Sequence, residues 1–205
     1  MNATVEQIRK AFAEAGIPEL PAHAYQQFQA YLDLLLRWNQ RVSLTAVREP
    51  EQIIRRHFVE CAFAAQHLPR DIRTLLDYGS GAGLPGIPIA ICRPGISVTL
   101  AEAQGKKAAF LREALRVLGL KGEVFDGRVE AMPDQVGFDA VALRAVEKMA
   151  LAIPVAVRRA NRYLLLLTTE QSISGFLELT RELVWLKPIP LPNTTQMILA
   201  IGQRS

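Results

Sequence analysis

The chain has 205 residues, half of them hydrophobic and 21% charged, which is enough to bury the core of one α/β domain with a small additional unit. No apolar run approaches the ~18 residues of a membrane span, the start lacks the basic-then-apolar order of a signal peptide, and two cysteines are too few for a disulfide framework. We therefore expect a monomeric cytoplasmic enzyme, and the net charge of +4 with a pI near 9.3 favours a polyanionic partner.

The first 70 residues have the hydrophobic periodicity of helices alone, which predicts an N-terminal helical cap over 1–70. Gly16-Ile17-Pro18 ends the first helix, and Pro69 ends the third, which starts near Glu49. His57 lies on the apolar stripe of the third helix, so a histidine satisfied within the core is favoured over a catalytic one. The three stripes consist of Val5, Ile8 and Phe12, then Phe28, Tyr31, Leu32 and Leu35, and finally Ile53, Ile54, His57, Phe58, Cys61, Ala62 and Ala65.

From Arg73 onwards, strand and helix patterns alternate, which predicts an α/β unit over 71–205 with a mostly parallel, seven-stranded sheet. Ligands of such sheets bind at the carboxyl ends of the strands. Only a short loop through Pro190 and Pro192 joins the last two strands, so we expect them to form a terminal antiparallel hairpin. The predicted strands are 74–78, 97–101, 123–127, 138–143, 163–168, 184–189 and 196–201, and the predicted helices are 86–92, 105–118, 147–158 and 170–182.

A glycine turn connects the first strand of this unit to its first helix. Residues 77–88 read Asp-Tyr-Gly-Ser-Gly-Ala-Gly-Leu-Pro-Gly-Ile-Pro. Gly79, Gly81 and Gly83 leave a patch of backbone without Cβ atoms, against which a flat ligand can lie. Glu102 follows about 20 residues later, at the end of the next predicted strand, where a carboxylate can bind both hydroxyls of a ribose. The alternative for Glu102 is a solvated strand end.

Two cofactor classes use this layout, and two prolines distinguish them. The glycine spacing formally fits the dinucleotide fingerprint, which binds a pyrophosphate through free N–H groups at a helix N-terminus. Pro85 and Pro88 remove two of those donors. S-adenosylmethionine has no phosphate and loses nothing by their absence. Asp77 also suits a cationic ligand, its alternative role being to cap the turn, so the pattern favours S-adenosylmethionine over NAD.

Short motifs stand in a fixed order over nearly the whole chain. They are Trp38-Asn39, Leu44-Thr45-Ala46-Val47-Arg48-Glu49-Pro50, Arg56-His57, the turn at 77–88, Arg93-Pro94, Gly105-Lys106-Lys107, Phe110-Leu111, Arg128-Val129-Glu130, Phe138-Asp139 and Arg144-Ala145. In these motifs the chain resembles the bacterial 16S ribosomal RNA guanine-N7 methyltransferases, the RsmG family, formerly GidB. The glycine turn is generic to methyltransferases, whereas its Leu-Pro-Gly-Ile-Pro extension is far more specific.

The resemblance implies a Rossmann-like class I methyltransferase that uses S-adenosyl-L-methionine and no metal. Its implied substrate is 16S rRNA in the small ribosomal subunit, at N7 of guanine 527 in the decoding-region loop. It further implies that Gly79 and Leu84 line the methyl donor and that Val129 and Glu130 contact its adenine. Glu130 has the alternative of capping a helical turn.

Arginines have two predicted roles. The resemblance implies that Arg144 reaches the site from the fourth strand, where we expect it to be catalytic and to contact the cofactor, the alternative being a salt-bridged strand end. Arg48, Arg55 and Arg56 are predicted to bind RNA, or else are ordinary solvated helix charges. The chain departs from the family pattern around the fifth strand, where Thr168-Thr169-Glu170 replaces the usual Lys-Gly exit and removes a positive charge from the predicted RNA face.

The predicted chemistry asks little of the protein. Guanine N7 has an in-plane lone pair and no proton to remove, so its methylation needs neither a metal nor a strong base, and no His/Cys cluster in the sequence has zinc spacing. Two other functions stay open at this point. One is an enzyme of the same fold that acts on a small molecule or a protein, and the other is a non-catalytic rRNA-binding or assembly protein.

Overall fold

Three helical segments precede the sheet, as the apolar stripes predict. The computed structural model describes residues 3–204, so Met1, Asn2 and Ser205, at which the two predicted units begin and end, lie outside the described residues. No helix within residues 3–204 is long and apolar enough to cross a membrane. The segments are α1 (Ala3–Glu14), α2 (Ala22–Asn39) and a long helical stretch composed of α3 (Pro50–Ile53), a π-helical turn (Ile54–Phe58) and α4 (Val59–His67).

The buried side chains of these helices are continuous with the core over one face of the sheet. The rings of Phe12 and Phe28 meet edge to face with their centroids 5.0 Å apart, and Tyr31 stacks on Phe58 at 5.2 Å. All four rings belong to a buried cluster that also contains side chains of the sheet. The N-terminal helices and the sheet therefore share one core. The division of the chain into two units at residue 70 stays a prediction.

The strands form one mixed sheet. They are β1 (Thr74–Tyr78), β2 (Ser97–Glu102), β3 (Gly122–Asp126), β4 (Phe138–Arg144), β5 (Ala160–Thr169), β6 (Leu183–Trp185), β7 (Ile189–Pro190) and β8 (Met197–Arg204). Their order is β3-β2-β1-β4-β5-β8-β6, with β7 also paired to β8. Strands β1 to β5 are parallel, and β8 runs antiparallel to β5, β6 and β7. The predicted Rossmann-like α/β fold with a terminal antiparallel hairpin is confirmed.

Several elements differ from their predicted bounds, and two of them do so for clear local reasons. The predicted strand 184–189 is broken into β6 and β7, because Pro188 has no N–H to donate to the ladder. Helix α8 (Glu170–Leu177) stops short of residue 182 and continues as one 3-10 turn (Glu178–Thr180). There the hydroxyl of Thr180 donates to the carbonyls of Phe176 and Leu177, which competes with further α-helical hydrogen bonds.

Helices cover both faces of the sheet because its side chains alternate. Leu75 of β1 belongs to the core on the side of the N-terminal helices, and Leu76 belongs to the core on the opposite side. The first side also holds α5 (Gly86–Cys92) and α6 (Gly105–Leu118), and the second holds α7 (Met149–Arg159).

Strand β1 lies between β2 and β4. After β1 the chain adds β2 and β3 on one side of it and then crosses to add β4 and β5 on the other side. This switch point opens a crevice at the carboxyl ends of the central strands, where the glycine turn lies. The N-terminal helices reach this place as well, because the Tyr31 hydroxyl donates to the carbonyl oxygen of Ala82 in the turn at 2.5 Å. The fold therefore brings the N-terminal helices and the glycine turn to one site.

Candidate cofactor and substrate site

The glycine turn adopts backbone conformations that favour glycine. Gly79, Gly81 and Gly83 have φ angles of 69°, 54° and 87°. Gly83 lies over the core, because a Cβ there would overlap the side chain of Ile87. Gly79 instead borders the crevice, where an added Cβ would lie 3.4 Å from Val146 Cγ2. Gly79 and Gly81 line a cavity of the site, and Gly83 permits close packing beneath it.

Asp77 supports the turn from inside. Its carboxyl is fully buried, and Oδ2 accepts a hydrogen bond from the backbone N–H of Gly86 at 3.0 Å. Burial raises the pKa of Asp77 to about 7. Its Oδ1 has no partner within residues 3–204. The structure thus shows the capping contact that was the alternative for Asp77, and its contact with the methyl donor stays a prediction.

Two adjoining cavities occupy the crevice. The first, called the α7 cavity, has a volume of about 390 Å³ and lies between the strand ends and the start of α7. The second, called the His57 cavity, has a volume of about 400 Å³ and lies between the glycine turn and the N-terminal helices. Gly79, Glu102 and Val146 line both. A ligand longer than either cavity can therefore extend through the two.

The α7 cavity combines apolar side chains with three carboxylates, those of Glu102, Glu130 and Glu147. Val129 is buried in the wall, and Leu151, 70% exposed, stands at the rim. Glu130 also lines this cavity, and its Oε1 accepts a hydrogen bond from the Tyr78 hydroxyl at 2.7 Å. That hydrogen bond lowers the pKa of the Glu130 carboxyl. The structure therefore brings Val129 and Glu130 together with Gly79 and Glu102 around one cavity.

Glu102 is held at the boundary of the two cavities by backbone donors. Its Oε2 accepts from the N–H of Gly81 at 2.9 Å, and its Oε1 accepts from the N–H of Gln104 at 2.8 Å. Each carboxylate oxygen has a second lone pair, so both oxygens can still accept a hydroxyl from a ligand. Glu102 is thus a fixed acceptor in the position predicted for a ribose ligand.

A half-buried cluster around Arg144 forms a wall of the His57 cavity. Nη2 of Arg144 lies 2.8 Å from Oε2 of Glu60, which is 5% exposed, and 2.9 Å from Nδ1 of His57. Nε2 of His57 lies 3.1 Å from the hydroxyl of Thr45. Burial and the charge of Arg144, with that of Arg56, lower the pKa of His57 to about 4, so the ring is neutral.

The interpretation of His57 as a core histidine missed this cluster. The signal was present in the motifs, because Leu44-Thr45 and Arg56-His57 carry the resemblance and both supply side chains to the cavity. Asn39 of the Trp38-Asn39 motif acts behind them: its Oδ1 accepts from the N–H groups of Leu44 and Thr45.

The matching family is the rRNA small subunit methyltransferase G family, GidB, whose model covers residues 24–192 of the chain. The chain belongs to this family. Ribosomal RNA small subunit methyltransferase G of Methylobacillus flagellatus is 43% identical over 149 residues, which are 72% of this chain and 71% of that protein. The protein of the same name from Neisseria meningitidis serogroup C is 41% identical over 146 residues, 71% of this chain and 69% of that protein.

Solved structures with the same fold are more distant in sequence. An O-methyltransferase from Bacillus cereus in complex with SAH has a TM-score of 0.66 at 16% identity and covers 98% of this chain and 100% of its own. TYW2 of P. horikoshii in complex with MeSAdo has a TM-score of 0.58 at 17% identity and covers 71% of this chain and 61% of its own. These likenesses establish the class I methyltransferase fold.

As a GidB-family protein, the chain is a methyltransferase whose cofactor is S-adenosyl-L-methionine. Its own residues fit this cofactor. The α7 cavity offers the apolar side chains of Val129 and Leu151 for an adenine, Glu102 offers acceptors for a ribose, and Gly79 leaves room at the passage into the His57 cavity. Leu84 also lines the His57 cavity, beyond that passage.

The three arginines predicted to bind RNA differ in their surroundings in this GidB-family chain. Arg48 and Arg56 are exposed, and within residues 3–204 neither has an acidic side chain at ion-pair distance. Arg55 is bound by two carboxylates, Glu51 at 3.0 Å and Glu14 at 3.7 Å. Their contact with RNA stays a prediction, and Arg55 is the one whose charge is already compensated.

The described part of the chain contains no candidate metal site. Between residues 3 and 204, no three His, Cys, Asp or Glu side chains lie close enough together to hold a metal ion.

Proposed function

We propose that this chain methylates N7 of a guanine in 16S rRNA, with guanine 527 of the decoding-region loop as its target. The family supports small-subunit rRNA as the substrate. The main structural support is the pair of adjoining cavities, because a cofactor held across Glu102 in the α7 cavity would present its reactive end to the His57 cavity.

The proposed cofactor contacts follow the cavity walls. Val129 and Glu130 bind the adenine, Glu102 binds the ribose hydroxyls, and Gly79, Gly81 and Leu84 pass the amino-acid part towards the His57 cavity. Gly83 and Asp77 shape the turn that carries these contacts. Bound S-adenosylmethionine supplies an electrophilic methyl group, and the chain's task is to orient the acceptor.

The His57 cavity has the chemistry expected for an acceptor that carries no proton. Its imidazole is neutral and already hydrogen-bonded on both ring nitrogens, so it is poorly suited to act as a general base. Guanine N7 needs no base, and orientation alone is worth up to roughly 7–11 kcal/mol in well-aligned systems. N7 also lies in the deep, narrow major groove of A-form RNA, so a target in an open loop is expected.

We place Arg144 in the role of orienting the guanine or its immediate surroundings. Glu60 and His57 fix Nη2, and Nη1 makes no hydrogen bond within residues 3–204. A guanidinium directly beside N7 would oppose the positive charge that develops on the base. Nη1 therefore acts on an acceptor near N7, such as the cofactor's carboxylate, guanine O6 or a neighbouring phosphate.

Residues 1–70 form the proposed RNA-facing cap. Arg48 lies three residues beyond Thr45, and Arg56 precedes His57, so the two exposed arginines flank the His57 cavity along the chain. A phosphate backbone that crosses this side would deliver a loop base to the cavity. The net charge of +4 agrees in sign with such a partner.

Ribosomal RNA from a strain that lacks this chain tests the proposal. We expect the loss of one N7-methylguanine from 16S rRNA, restored by the wild-type chain and not by Gly81→Val, a variant expected to abolish cofactor binding. Unchanged N7-methylguanine content would contradict the proposal and favour an enzyme that acts on a small molecule or protein. Restoration by a variant that cannot bind the cofactor would favour a non-catalytic assembly protein.

A further inference from the structure

Arg144 can only donate hydrogen bonds, and this determines which atoms of His57 and Thr45 act as donors and which as acceptors. Arg144 has no acceptor, so Nδ1 of His57, 2.9 Å from its Nη2, must be the acceptor. A neutral imidazole then carries its proton on Nε2. Nε2 lies 3.1 Å from Oγ1 of Thr45, and therefore donates to that hydroxyl.

A second donor reaches the same hydroxyl oxygen. The backbone N–H of Val47 donates to Thr45 Oγ1 at 3.1 Å. A hydroxyl oxygen has two lone pairs, and both are now occupied as acceptors. Only the hydroxyl proton of Thr45 remains available for a further hydrogen bond. Within residues 3–204 the hydroxyl has no partners other than His57 and Val47. Thr45 lines the His57 cavity, so it is a hydroxyl prepared to donate there and unable to accept.

The backbone of Thr45 is fixed as firmly as its hydroxyl. Asn39, 7% exposed, accepts from the N–H groups of Leu44 and Thr45 at 2.9 and 3.1 Å. Its Nδ2 also donates to the carbonyl of Thr45 at 3.0 Å. A donor held on both sides loses little conformational entropy when it binds a ligand.

We propose that the Thr45 hydroxyl recognises O6 of the target guanine and makes the His57 cavity selective for guanine over adenine. The inference rests on the proposed function. O6 is an acceptor adjacent to N7 on the major-groove edge of guanine, so any pose that presents N7 also presents O6. Adenine has an N6 amino donor at the same place. Two donors would then face each other, because Thr45 has no lone pair left to accept.

Within this arrangement, His57 is a positioning residue. It transmits the fixed donor character of Arg144 to Thr45 and does not contact the base itself. The same hydroxyl could instead donate to a carboxylate of the cofactor or to an RNA phosphate. These assignments differ from recognition of O6 in the effects that they predict for cofactor affinity and for base analogues.

The test is a double-mutant cycle between the protein and the target base. Small subunits are reconstituted with guanine, inosine or 2-aminopurine at the target position, since inosine keeps O6 and 2-aminopurine lacks it. Single-turnover rates and half-saturating subunit concentrations are measured for the wild type, Thr45→Val and Thr45→Ser. Ser43→Ala, which removes an exposed hydroxyl two residues away, is the matched control.

We expect the wild type to accept inosine and to lose about ten- to a hundred-fold in kcat/KM on 2-aminopurine. Thr45→Val should lose a similar factor on guanine and little more on 2-aminopurine, and Thr45→Ser should recover most of the activity. Calorimetry should give the same S-adenosylmethionine affinity for Thr45→Val as for the wild type.

Three results would overturn the inference. Multiplicative losses for Thr45→Val and 2-aminopurine would show that the hydroxyl does not read O6. Weaker cofactor binding in Thr45→Val would assign the hydroxyl to the cofactor's carboxylate. If the wild type methylates no guanine in the subunit, both the proposed function and the inference are wrong. If the wild type is active but the effects of Thr45→Val and 2-aminopurine are independent, only the inference is wrong. If Thr45→Val does not fold, Thr45→Ala takes its place in the same cycle.

Discussion

The backbone N–H of Gly81 donates to Glu102 Oε2 at 2.9 Å, which ties the glycine turn to the end of β2. The other oxygen of the same carboxylate accepts from Gln104 at 2.8 Å. Glu102 therefore fixes the glycine turn with the same carboxylate that we propose binds the ligand. A substitution at this position changes the shape of the site as well as its contacts.

We predict that Glu102→Gln weakens S-adenosylmethionine binding by about ten- to a hundred-fold. The amide keeps one acceptor oxygen and presents an NH₂ group to the other backbone N–H, so the free energy of unfolding should also fall by about 1–2 kcal/mol. Calorimetry and chemical denaturation measure the two effects, with Glu178→Gln, an exposed glutamate, as the control. Unchanged cofactor affinity, or tighter binding of NAD than of S-adenosylmethionine, would contradict the assignment.

We predict that Gly81→Val abolishes cofactor binding. A branched side chain resists the φ of 54° and projects into the His57 cavity, which Gly81 lines. Gly16→Val is the matched control, because Gly16 has a φ of 71° and open space where its Cβ would lie. Both variants should lose stability by about 1–2 kcal/mol, and only Gly81→Val should lose cofactor binding. Normal cofactor binding by folded Gly81→Val would show that the turn is not the floor of the site.

The glycine turn and Glu102 could be predicted from the sequence because each depends on local order. Glycines at alternating positions and a carboxylate at a strand end are properties of short segments, and parallel strands bring their carboxyl ends together in any sheet of this kind. The strands and most helix bounds follow from hydrophobic periods for the same reason. Pro188 shows the limit of that reasoning, since the apolar pattern continues through it and the hydrogen-bond ladder does not.

The cluster of Thr45, His57, Glu60 and Arg144 could not be predicted in this way. Its members come from a loop, a π-helical turn, α4 and β4, and only the packing of the N-terminal helices on the sheet brings them together. A π-helical turn also contains more residues than an α-helical one, so helical spacing does not predict which side chains of Ile54–Phe58 face the core. For that reason the apolar stripe alone places His57 in the core.

Arg48 and Arg56 should act on RNA binding and not on the chemical step. Replacing either with alanine should raise KM and leave turnover at saturation nearly unchanged. The log–log salt slope should decrease by about 0.7 for each phosphate of a single-stranded target that the variant no longer binds. Arg55→Ala should have a smaller effect, because Glu51 and Glu14 already bind its guanidinium. Binding titrations at several salt concentrations measure the slopes, and equal slopes for all variants and the wild type would remove these arginines from the RNA interface.

Arg144 should affect the chemical step instead. Its loss alone leaves Glu60 buried without its partner, which costs about 3–5 kcal/mol, so the test compares Arg144→Ala/Glu60→Gln with Glu60→Gln. We expect kcat to fall on the order of a hundred-fold between the two, because a base held about 1 Å out of line reacts that much more slowly. Single-turnover kinetics with saturating subunits measure it. Equal rates would leave Arg144 a structural role only.

His57 should make the folded protein less stable as the pH falls. Its pKa is about 4 in the fold and ordinarily 6.5, so between these values the unfolded chain binds a proton that the fold does not. The stability is fully present above pH 6.5 and is lost as the pH falls towards 4, by roughly 2–4 kcal/mol. Denaturation of the wild type and His57→Gln across this range measures the difference, and parallel curves would contradict a buried neutral imidazole.

Asp77 contributes with the opposite sign and supplies a control. Its pKa is raised from 3.8 to about 7, so the stability it gives is present at low pH and is lost as the pH rises through 7. Relative to the wild type, Asp77→Asn should therefore become more stable with rising pH between 4 and 7, while His57→Gln becomes less stable. A shared sign for the two variants would show that one of the two environments is misassigned.

Mapping the position of the transferred methyl group is the most direct test of methylation at guanine N7. Purified protein and labelled S-adenosylmethionine are incubated with small subunits that lack N7-methylguanine, and the modified nucleotide is mapped by mass spectrometry of rRNA fragments. We predict one N7-methylguanine, at guanine 527 of 16S rRNA, and about ten- to a hundred-fold less of it when Glu102→Gln replaces the wild type at limiting cofactor. Label at another atom or another nucleotide, or no transfer to rRNA by a protein that binds the cofactor, would contradict this prediction.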